Sequence, residues 1–391
     1  MRLIGYQNRF LYKSALMHIL FVTHYAGFYG ANKSMLALIM LLRERYGVQA
    51  TVLLPHRGAM CGILEQNNIP YVVSHYYWWV NDNHGLFQKL LNKRKQLLNY
   101  WRIKRILRGL GDTHFDLIYS NSVTIDIGLF IAERLQIPHV WHFRESLVQF
   151  NLSLSLSLSL LRRPVNSAYI LISQYMMDYY RPYLSADRMY CIYNGVSLPQ
   201  GVYRQKLNQV IDHLKVVCIG VLCEQKNQLE LLRAQVVLYQ RGVIIETFFL
   251  GSAKADYLHQ MQDFIEQNFL TPYVHIIGHT DDVYAIMQDM NVGVVCAHDE
   301  AFGRVTIEEM LMRMPIVVSQ SGANAELLRN NQDGIVYPLG DTEALAGALL
   351  QYVMNPELLQ VQGNSAYQYA VEHFSAELNA EQIYQLIKNI K

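Results

Sequence analysis

Two successive series of short apolar strands and helical segments run along nearly the whole chain, and this pattern limits the possible folds most. Each strand candidate is a short run of β-branched and apolar residues followed by apolar residues at helical spacing. The first series opens at residues 18–23, and the second starts after a change near residues 194–213. We therefore expect an α/β chain with two Rossmann-like domains that face each other, with a ligand crevice at the carboxyl ends of their strands.

The same pattern predicts the boundaries of the domains. We expect a first domain over residues 1–200, a second over residues 201–375, and a last helix within residues 376–391 that could pack on either domain. Further strand candidates lie at residues 48–54, 71–74, 117–120, 139–143, 169–173 and 189–193 in the first series, and at residues 215–220, 246–251, 274–277, 292–297 and 315–319 in the second.

Length and composition agree with two folded domains and exclude several classes of protein. The 391 residues exceed the usual size of one domain. Hydrophobic residues make up 51% of the chain and charged residues 17%, which excludes a disordered chain. The 33 basic residues nearly balance the 32 acidic ones, so we expect no nucleic-acid partner.

The cysteines and the amino terminus predict a cytoplasmic protein. The five cysteines contain no Cys-x-x-Cys pair, so neither a disulfide framework nor a zinc site is expected. Polar and charged residues interrupt the first 22 residues, and no uncharged apolar run reaches about 18 residues. We therefore expect neither a signal peptide nor a membrane span.

The strongest candidate site is the segment from Glu300 to Glu308, between the strand candidate 292–297 and a helix expected at residues 306–314. Gly303 at such a turn lets backbone N–H groups approach an anion, and the helix N-terminus adds partial positive charge. The two carboxylates suit the hydroxyl groups of a sugar, because carboxylates accept charge-assisted hydrogen bonds. A phosphate beside a hydroxyl-rich group indicates a nucleotide sugar.

The Glu-x7-Glu spacing of this segment resembles the signature of the GT-B-fold glycosyltransferases of family 4, also called group 1. Other segments follow in the order of that family: residues 30–31, 141–145, 193–196, 220, 226–228, 250–252, 278–283, 315–318 and 322–326. The resemblance covers roughly residues 17–375. It implies a GT-B fold, with an acceptor-side first domain and a second domain that binds the nucleotide sugar.

The resemblance also implies a role for individual residues. Glu300 would hold hydroxyls of the donor sugar, Glu308 the ribose hydroxyls, and Lys226 the leaving diphosphate. The implied donor-binding residues are Gly30, Ala31, Lys226, Phe302, Gly303, Arg304, Val305 and Glu308, and the implied catalytic residues are His142 and Glu300. Such transferases need no metal and no cofactor, since the nucleotide-diphosphate sugar is the donor substrate.

The chain departs from the family pattern at one position. The family usually carries an arginine directly after the glycine of the first strand of the second domain, where this chain has Val221. One of two cationic phosphate contacts is therefore missing, and we hypothesise that Arg304 partly replaces it. Arg144 and Glu145, which follow His142, are less specific and are able to form a mutual ion pair.

The segment from Leu86 to Arg108 carries eight basic residues and no acidic one. As an interfacial helix it would be attracted to an anionic membrane surface, which family members that extend lipid-linked glycans use for docking. The alternatives are a surface helix whose apolar stripe packs on its own domain and, less favoured, a nucleic-acid patch. The Leu-Ser alternation at residues 152–161 suits either a strand or a loop.

We interpret the chain as a retaining glycosyltransferase that moves a sugar from a nucleotide-diphosphate donor to a lipid-linked glycan acceptor. The expected process is the synthesis of bacterial surface polysaccharide, such as O-antigen, capsule or lipopolysaccharide, at the inner face of the cytoplasmic membrane. The alternative, prompted by Val221, is a non-catalytic nucleotide-sugar-binding or scaffolding subunit at the membrane. A nicotinamide-dependent dehydrogenase is disfavoured, because no Gly-x-Gly-x-x-Gly follows the first strand.

Overall fold

The computed structural model of the chain describes residues 16–79, 86–146, 158–199, 201–202 and 213–390. The amino-terminal residues 1–15, on which the expectation about a signal peptide partly rests, lie outside this range. So do residues 152–157 of the Leu-Ser alternation, while the end of that alternation forms a short helix at Leu158–Leu161.

The first half of the chain forms a seven-stranded parallel sheet, with the strand order β3-β2-β1-β4-β5-β6-β7. Its strands are β1 (His18–Val22), β2 (Gln49–Leu54), β3 (Tyr71–Val73), β4 (Leu117–Ser120), β5 (His139–Phe143), β6 (Asn166–Leu171) and β7 (Met189–Cys191). Its helices are α1 (Gly30–Tyr46), α2 (Ala59–Gln66), α3 (Leu86–Leu110), α4 (Ile127–Leu135), α5 (Leu158–Leu161) and α6 (Gln174–Tyr180). The order reverses between β1 and β4, which is where such sheets bind ligands.

The second half forms a six-stranded parallel sheet, with the order β10-β9-β8-β11-β12-β13. Its strands are β8 (Leu214–Ile219), β9 (Ile245–Leu250), β10 (Val274–Gly278), β11 (Val292–Val295), β12 (Ile316–Ser319) and β13 (Gly334–Tyr337). The remaining helices are α7 (Gln228–Gln240), α8 (Ala255–Gln267), α9 (Val283–Gln288), α10 (Arg304–Leu311), α11 (Thr342–Met354), α12 (Glu357–Phe374) and α13 (Ala376–Asn389). Here the order reverses between β8 and β11.

Both halves are α/β with doubly wound parallel sheets, so the predicted fold class is confirmed. Apolar side chains pack on both faces of each sheet, as parallel strands require. Helix α10 begins at Arg304 rather than at Thr306, because Gly303 already turns the chain with φ +85°. Strand β6 ends at Leu171, because the Ser173 side chain caps helix α6.

The last helix packs on the first half of the molecule, which the sequence leaves open. Ala380, Ile383 and Ile387 are buried in the core beneath β1, and the rings of Tyr46 and Tyr384 stack at 3.8 Å. Helix α13 therefore covers α1, although the chain reaches it from the second half.

The chain passes between the two halves at two adjacent crossings. Val196 on the outward crossing pairs with Ser375 on the return crossing, and its N–H donates to the Phe374 carbonyl at 2.9 Å. A Cβ on Gly195 would lie 2.6 Å from the Cα of Ala376, so only glycine allows this approach.

Among the described helices, none combines the length and the apolar character needed to cross a bilayer.

Candidate active site

A cavity of about 120 Å³ opens at the carboxyl ends of β8 and β11, at the point where the strand order of the second sheet reverses. Five of the predicted site residues line it together: Lys226, Glu300, Gly303, Arg304 and Val305. Gly220, at the end of β8, and Gln228, at the start of α7, line it as well. The sequence therefore predicted a set of residues that the fold brings to one place.

Lys226 and Glu300 form an ion pair within this cavity. Lys226 lies in the loop between β8 and α7, Glu300 lies in the loop between β11 and α10, and the ammonium donates to Oε2 of the carboxylate. Burial acts to lower the pKa of the Lys226 ammonium, but the charge of Glu300 and its hydrogen bond outweigh burial and raise that pKa. Lys226 is therefore a cation at neutral pH, beside the carboxylate that is predicted to hold the sugar.

The backbone around Glu300 is fixed by the loop that follows β12. The Ala323 N–H donates to the Glu300 carbonyl at 2.7 Å. Gly322 has φ +54°, and a Cβ there would lie 2.5 Å from the backbone N and O atoms of Glu300. Only glycine fits this contact, so the position of Glu300 depends on a second loop.

The start of helix α10 supplies backbone N–H groups to the same cavity. Gly303 precedes the helix in the left-handed region, and a Cβ there would lie 3.0 Å from Cδ1 of Leu327. The first N–H groups of a helix have no partner within it, and they carry its partial positive charge. Since Gly303, Arg304 and Val305 line the cavity, this end of α10 is suited to an anionic group.

Arg304 connects the two halves of the molecule. Its Nε donates to Oε1 of Glu308 at 2.8 Å, one turn further along α10. Its Nη1 donates to the hydroxyl of Ser34 on α1 at 3.1 Å. Glu308 does not line the cavity itself. Its carboxylate pairs with Arg304, which does line the cavity. The phenol of Tyr284 lies beside Glu308, and burial followed by the charge of Glu308 raises its pKa to about 12.

Two predicted residues at the start of α1 lie on the opposite side of the crevice. Gly30 is the first residue of α1, and the carbonyl of Ala31 accepts a hydrogen bond from the side chain of Asn121 at 3.1 Å. Ser34, which contacts Arg304, follows one turn later. The starts of α1 and α10 therefore approach each other across the crevice.

The other two predicted residues lie apart from the cavity. The ring of Phe302 is buried and packs near Tyr193 and Phe374, each 6.2 Å away between ring centroids. His142 is fully buried at the end of β5, where it shares a hydrogen bond with the Tyr119 hydroxyl. Burial, and then the charge of Arg144, hold the pKa of His142 well below its usual value, so its imidazole is neutral.

A group of polar residues beside His142 was not predicted as a site. Arg144 does not form the ion pair with Glu145 that the sequence allows, and donates instead to the side-chain oxygens of Asn121 and Asn194. Glu145 instead accepts from the Ser122 hydroxyl at 2.9 Å, and its Oε1 lies 3.7 Å from Nε2 of His24. Two features of the sequence indicated this group: residues 141–145 follow the family pattern, and polar residues come directly after a buried strand.

Burial has the largest effect on the pKa values of Glu145 and His24, which belong to this polar group. It raises the pKa of Glu145 to about 7, although the hydrogen bond from Ser122 and the charge of Arg144 act in the opposite direction. Burial, followed by the charge of Arg144, lowers the pKa of His24 to about 3. Neither histidine of the group therefore carries a positive charge at neutral pH.

The match to known proteins covers both halves of the chain. The family model described as "Glycosyltransferase Family 4" matches residues 28–199, and the one described as "Glycosyl transferases group 1" matches residues 200–369. The crystal structure of Anabaena HepE in complex with UDP and glucose superposes with a TM-score of 0.77 at 22% identity. That superposition covers 95% of this chain and 100% of HepE.

Two curated relatives match a smaller part of the chain than HepE does. The capsular polysaccharide biosynthesis glycosyltransferase CapM of Staphylococcus aureus is 24% identical over 183 residues, which are 46% of this chain and 47% of CapM. The lipopolysaccharide core biosynthesis mannosyltransferase LpcC of Rhizobium leguminosarum bv. viciae is 25% identical over 171 residues, which are 43% and 49% of the two chains. The chain thus spans about half the length of these curated relatives.

Two facing Rossmann-like halves with a cavity at the strand ends of the second half define the GT-B class of fold. Within that class, the chain belongs to the family 4, or group 1, glycosyltransferases, as the resemblance predicted.

Proposed function

We propose that the protein is a retaining glycosyltransferase that uses a nucleotide-diphosphate sugar as donor. One observation carries this proposal: Lys226, Glu300 and the start of α10 surround one cavity. They combine a cation, a carboxylate and unpaired backbone N–H groups, which together suit a sugar diphosphate.

In the proposed reaction the second domain stabilises the leaving group. Glu300 accepts hydrogen bonds from donor-sugar hydroxyls, and Glu308 accepts them from the ribose. Lys226 and the N–H groups at the start of α10 stabilise the charge that develops on the diphosphate, so no metal is required. The acceptor attacks on the face from which the diphosphate leaves, and a phosphate oxygen takes its proton. Catalysis then depends on positioning and charge rather than on a protein nucleophile.

We propose bacterial surface polysaccharide as the product and a lipid-linked glycan as the acceptor. The names of CapM and LpcC, which refer to capsule and lipopolysaccharide core, support the pathway. Helix α3 supports the membrane location, because Leu97, Tyr100 and Trp101 form an exposed apolar patch, with Trp101 74% exposed. Exposed Lys93, Arg94, Lys104 and Arg105 lie next to that patch along the helix.

Donor cleavage tests the catalytic proposal. The purified protein is incubated with UDP-, GDP- and ADP-linked sugars, with and without EDTA, and release of nucleoside diphosphate is measured. We expect release with one donor class, unchanged by EDTA, and a loss of about 100- to 1000-fold in Glu300→Gln and in Lys226→Ala. Glu343→Gln removes an exposed ion pair with Arg241 and is the matched control.

Full activity of Glu300→Gln would contradict the site assignment. Donor binding without any release by the wild type would favour the non-catalytic alternative that Val221 suggests.

Vesicle flotation tests the membrane proposal. The wild type is expected to float with vesicles that contain anionic phosphatidylglycerol and to stay in solution with phosphatidylcholine alone. Lys104→Glu changes two charges, and at about 1 kcal/mol per charge it should weaken binding about 30-fold. Lys254→Glu, on the exposed surface of the second half, is the control. Equal flotation with both lipids would contradict this location.

A further inference from the structure

A buried guanidinium lies on the first-domain side of the crevice, directly after β5. Arg144 is 7% exposed; its Nε donates to Oδ1 of Asn121 at 2.6 Å, and its Nη1 donates to Oδ1 of Asn194. Among the described residues, no carboxylate oxygen lies within 4.0 Å of this guanidinium. Its hydrogen-bond partners are thus neutral amides, which orient the guanidinium but carry no charge to balance it.

The charged groups around Arg144 compensate its charge only in part: burial lowers the pKa of Arg144, the charge of Glu145 opposes that effect, and the charge of Arg304 adds to it. Glu145, the next residue, is engaged with Ser122, and burial raises its pKa to about 7, so it is only partly ionised at neutral pH. Arg304 lies close enough to act on Arg144 as a like charge. The charge of Arg304 is matched by Glu308, whereas that of Arg144 is not. An unpaired buried cation is costly, and an anionic ligand would remove that cost.

The position of Arg144 indicates which anionic ligand it would bind. Its partner Asn121 donates to the carbonyl of Ala31 at the start of α1. One turn further along α1, Ser34 contacts Arg304, which lines the donor cavity. Arg144 is therefore connected to the part of the crevice where the start of α10 and Lys226 would receive the diphosphate.

We propose that Arg144 is the second cationic contact of the donor diphosphate, supplied by the first domain in place of the arginine that is missing at Val221. This inference rests on the proposed function. A guanidinium can donate two parallel hydrogen bonds to phosphate oxygens, whereas Val221 offers no donor in its side chain. Because Arg144 and Lys226 belong to different halves, the diphosphate would be held between the domains.

The test measures binding of UDP, GDP and ADP to the wild type and to Arg144→Gln, together with the melting temperature of each ligand-free protein. We expect at least one nucleoside diphosphate to bind the wild type, and to bind Arg144→Gln about 10- to 100-fold more weakly. The ligand-free variant should melt no lower than the wild type, because it loses a buried cation that has no ion-pair partner among the described residues. A merely structural role for Arg144 predicts the opposite change in melting temperature.

Two further variants sharpen the result. Arg144→Lys keeps the charge but loses the paired donors of the guanidinium, so its affinity should lie between those of Arg144→Gln and the wild type. Arg43→Gln is the matched control, since Arg43 also donates to neutral oxygens, the carbonyls of Asn67 and Asn68, and it lies at the far end of α1. It should bind the nucleoside diphosphate as the wild type does.

Unchanged nucleoside-diphosphate affinity in Arg144→Gln would overturn this inference, even if transfer to an acceptor were lost, because the anion would then belong to the acceptor. A lower melting temperature with unchanged affinity would overturn it in favour of a structural role. A wild type that binds none of the three nucleotides would contradict the proposed function itself, and this inference with it.

Discussion

Glu309 shows how one buried side chain can make stability depend on pH. It follows Glu308 on α10, has no exposed surface, and neither of its carboxylate oxygens has a hydrogen-bond partner among the described residues. It packs against Gly293 of β11, where any larger side chain would collide with the carboxylate. Burial, and then the charge of Glu308, raise the pKa of Glu309 well above 4.5. The folded protein therefore holds this carboxyl group in its neutral form.

Replacing Glu309 with glutamine should stabilise the protein increasingly as the pH rises. Above about pH 4.5 the unfolded glutamate ionises while the folded one stays protonated, so the stability of the wild type falls as the pH rises through this range. Glutamine does not titrate there. We expect nearly equal free energies of unfolding for the two proteins near pH 5. Near pH 8, the free energy of unfolding of Glu309→Gln should exceed that of the wild type by an amount on the order of 1–3 kcal/mol.

Thermal unfolding from pH 5 to pH 8 measures this difference, with Glu44→Gln on the exposed face of α1 as control. A difference between Glu309→Gln and the wild type that stays constant with pH would show that Glu309 is ionised in the folded protein.

At the residue scale, the sequence predicted best those groups that lie next to their partners in the chain. Glu300, Gly303 and Arg304 belong to one strand-to-helix turn, so their spacing alone placed them together. Phe302 belongs to the same turn, but its ring packs near Tyr193 and Phe374, which come from the crossings between the halves. No local pattern contains that contact. The pairing of Arg144 with neutral amides was likewise invisible, since both of its amide partners are distant in sequence.

At the scale of elements, the loop after β12 should determine the activity through Gly322. Alanine at this position would place its Cβ 2.5 Å from the Glu300 backbone and would also occupy a left-handed conformation. The conformation alone costs about 1–2 kcal/mol, whereas the collision must move Glu300. We expect Gly322→Ala to release nucleoside diphosphate from the donor about 10- to 100-fold more slowly, because small displacements of a positioning group have effects of this size.

Gly242 provides a matched control for this prediction. It has a similar left-handed φ of +75°, and a Cβ there would meet nothing within 4 Å. Gly242→Ala should therefore lose only the roughly 1–2 kcal/mol of the left-handed conformation and keep its rate of nucleotide release. Equal rates in the two variants would mean that Gly322 does not fix the position of Glu300.

The elements themselves were predicted well where an apolar run is bounded by turn residues. β4 and β5 have the expected limits. The prediction was poorer where tertiary contacts decide the limits. Ser173 was assigned to a strand but caps α6, and its hydroxyl donates to the Ala301 carbonyl of the other half at 2.7 Å. β13 (Gly334–Tyr337) was not predicted, because this short run is recognisable only through its pairing with β12.

At the scale of the whole molecule, the two halves contact each other near the cavity that Lys226 and Glu300 line. The carboxylate of Glu326, from the second half, accepts hydrogen bonds from the N–H groups of Gln174 and Tyr175 at 2.8 and 2.9 Å, at the start of α6. Ser173 contacts the carbonyl of Ala301, the residue after Glu300. The first domain therefore contributes to the placement of the Glu300 loop, and the relative position of the halves and the geometry of the cavity are linked.

Helix α13 also connects the two halves. Weakening its packing should affect the first half, which is distant from it in sequence. Ile383 on α13 is fully buried in the core beneath β1, so Ile383→Ala should cost about 2–5 kcal/mol. Hydrogen exchange measured by mass spectrometry should show lower protection in β1, β2 and α1. Ile265→Ala, in the core of the second sheet, is the matched control and should lower protection in β8 and β9 instead. If Ile383→Ala lowered protection mainly in the second sheet, α13 would stabilise the half from which it comes, and its packing on α1 would contribute little to folding.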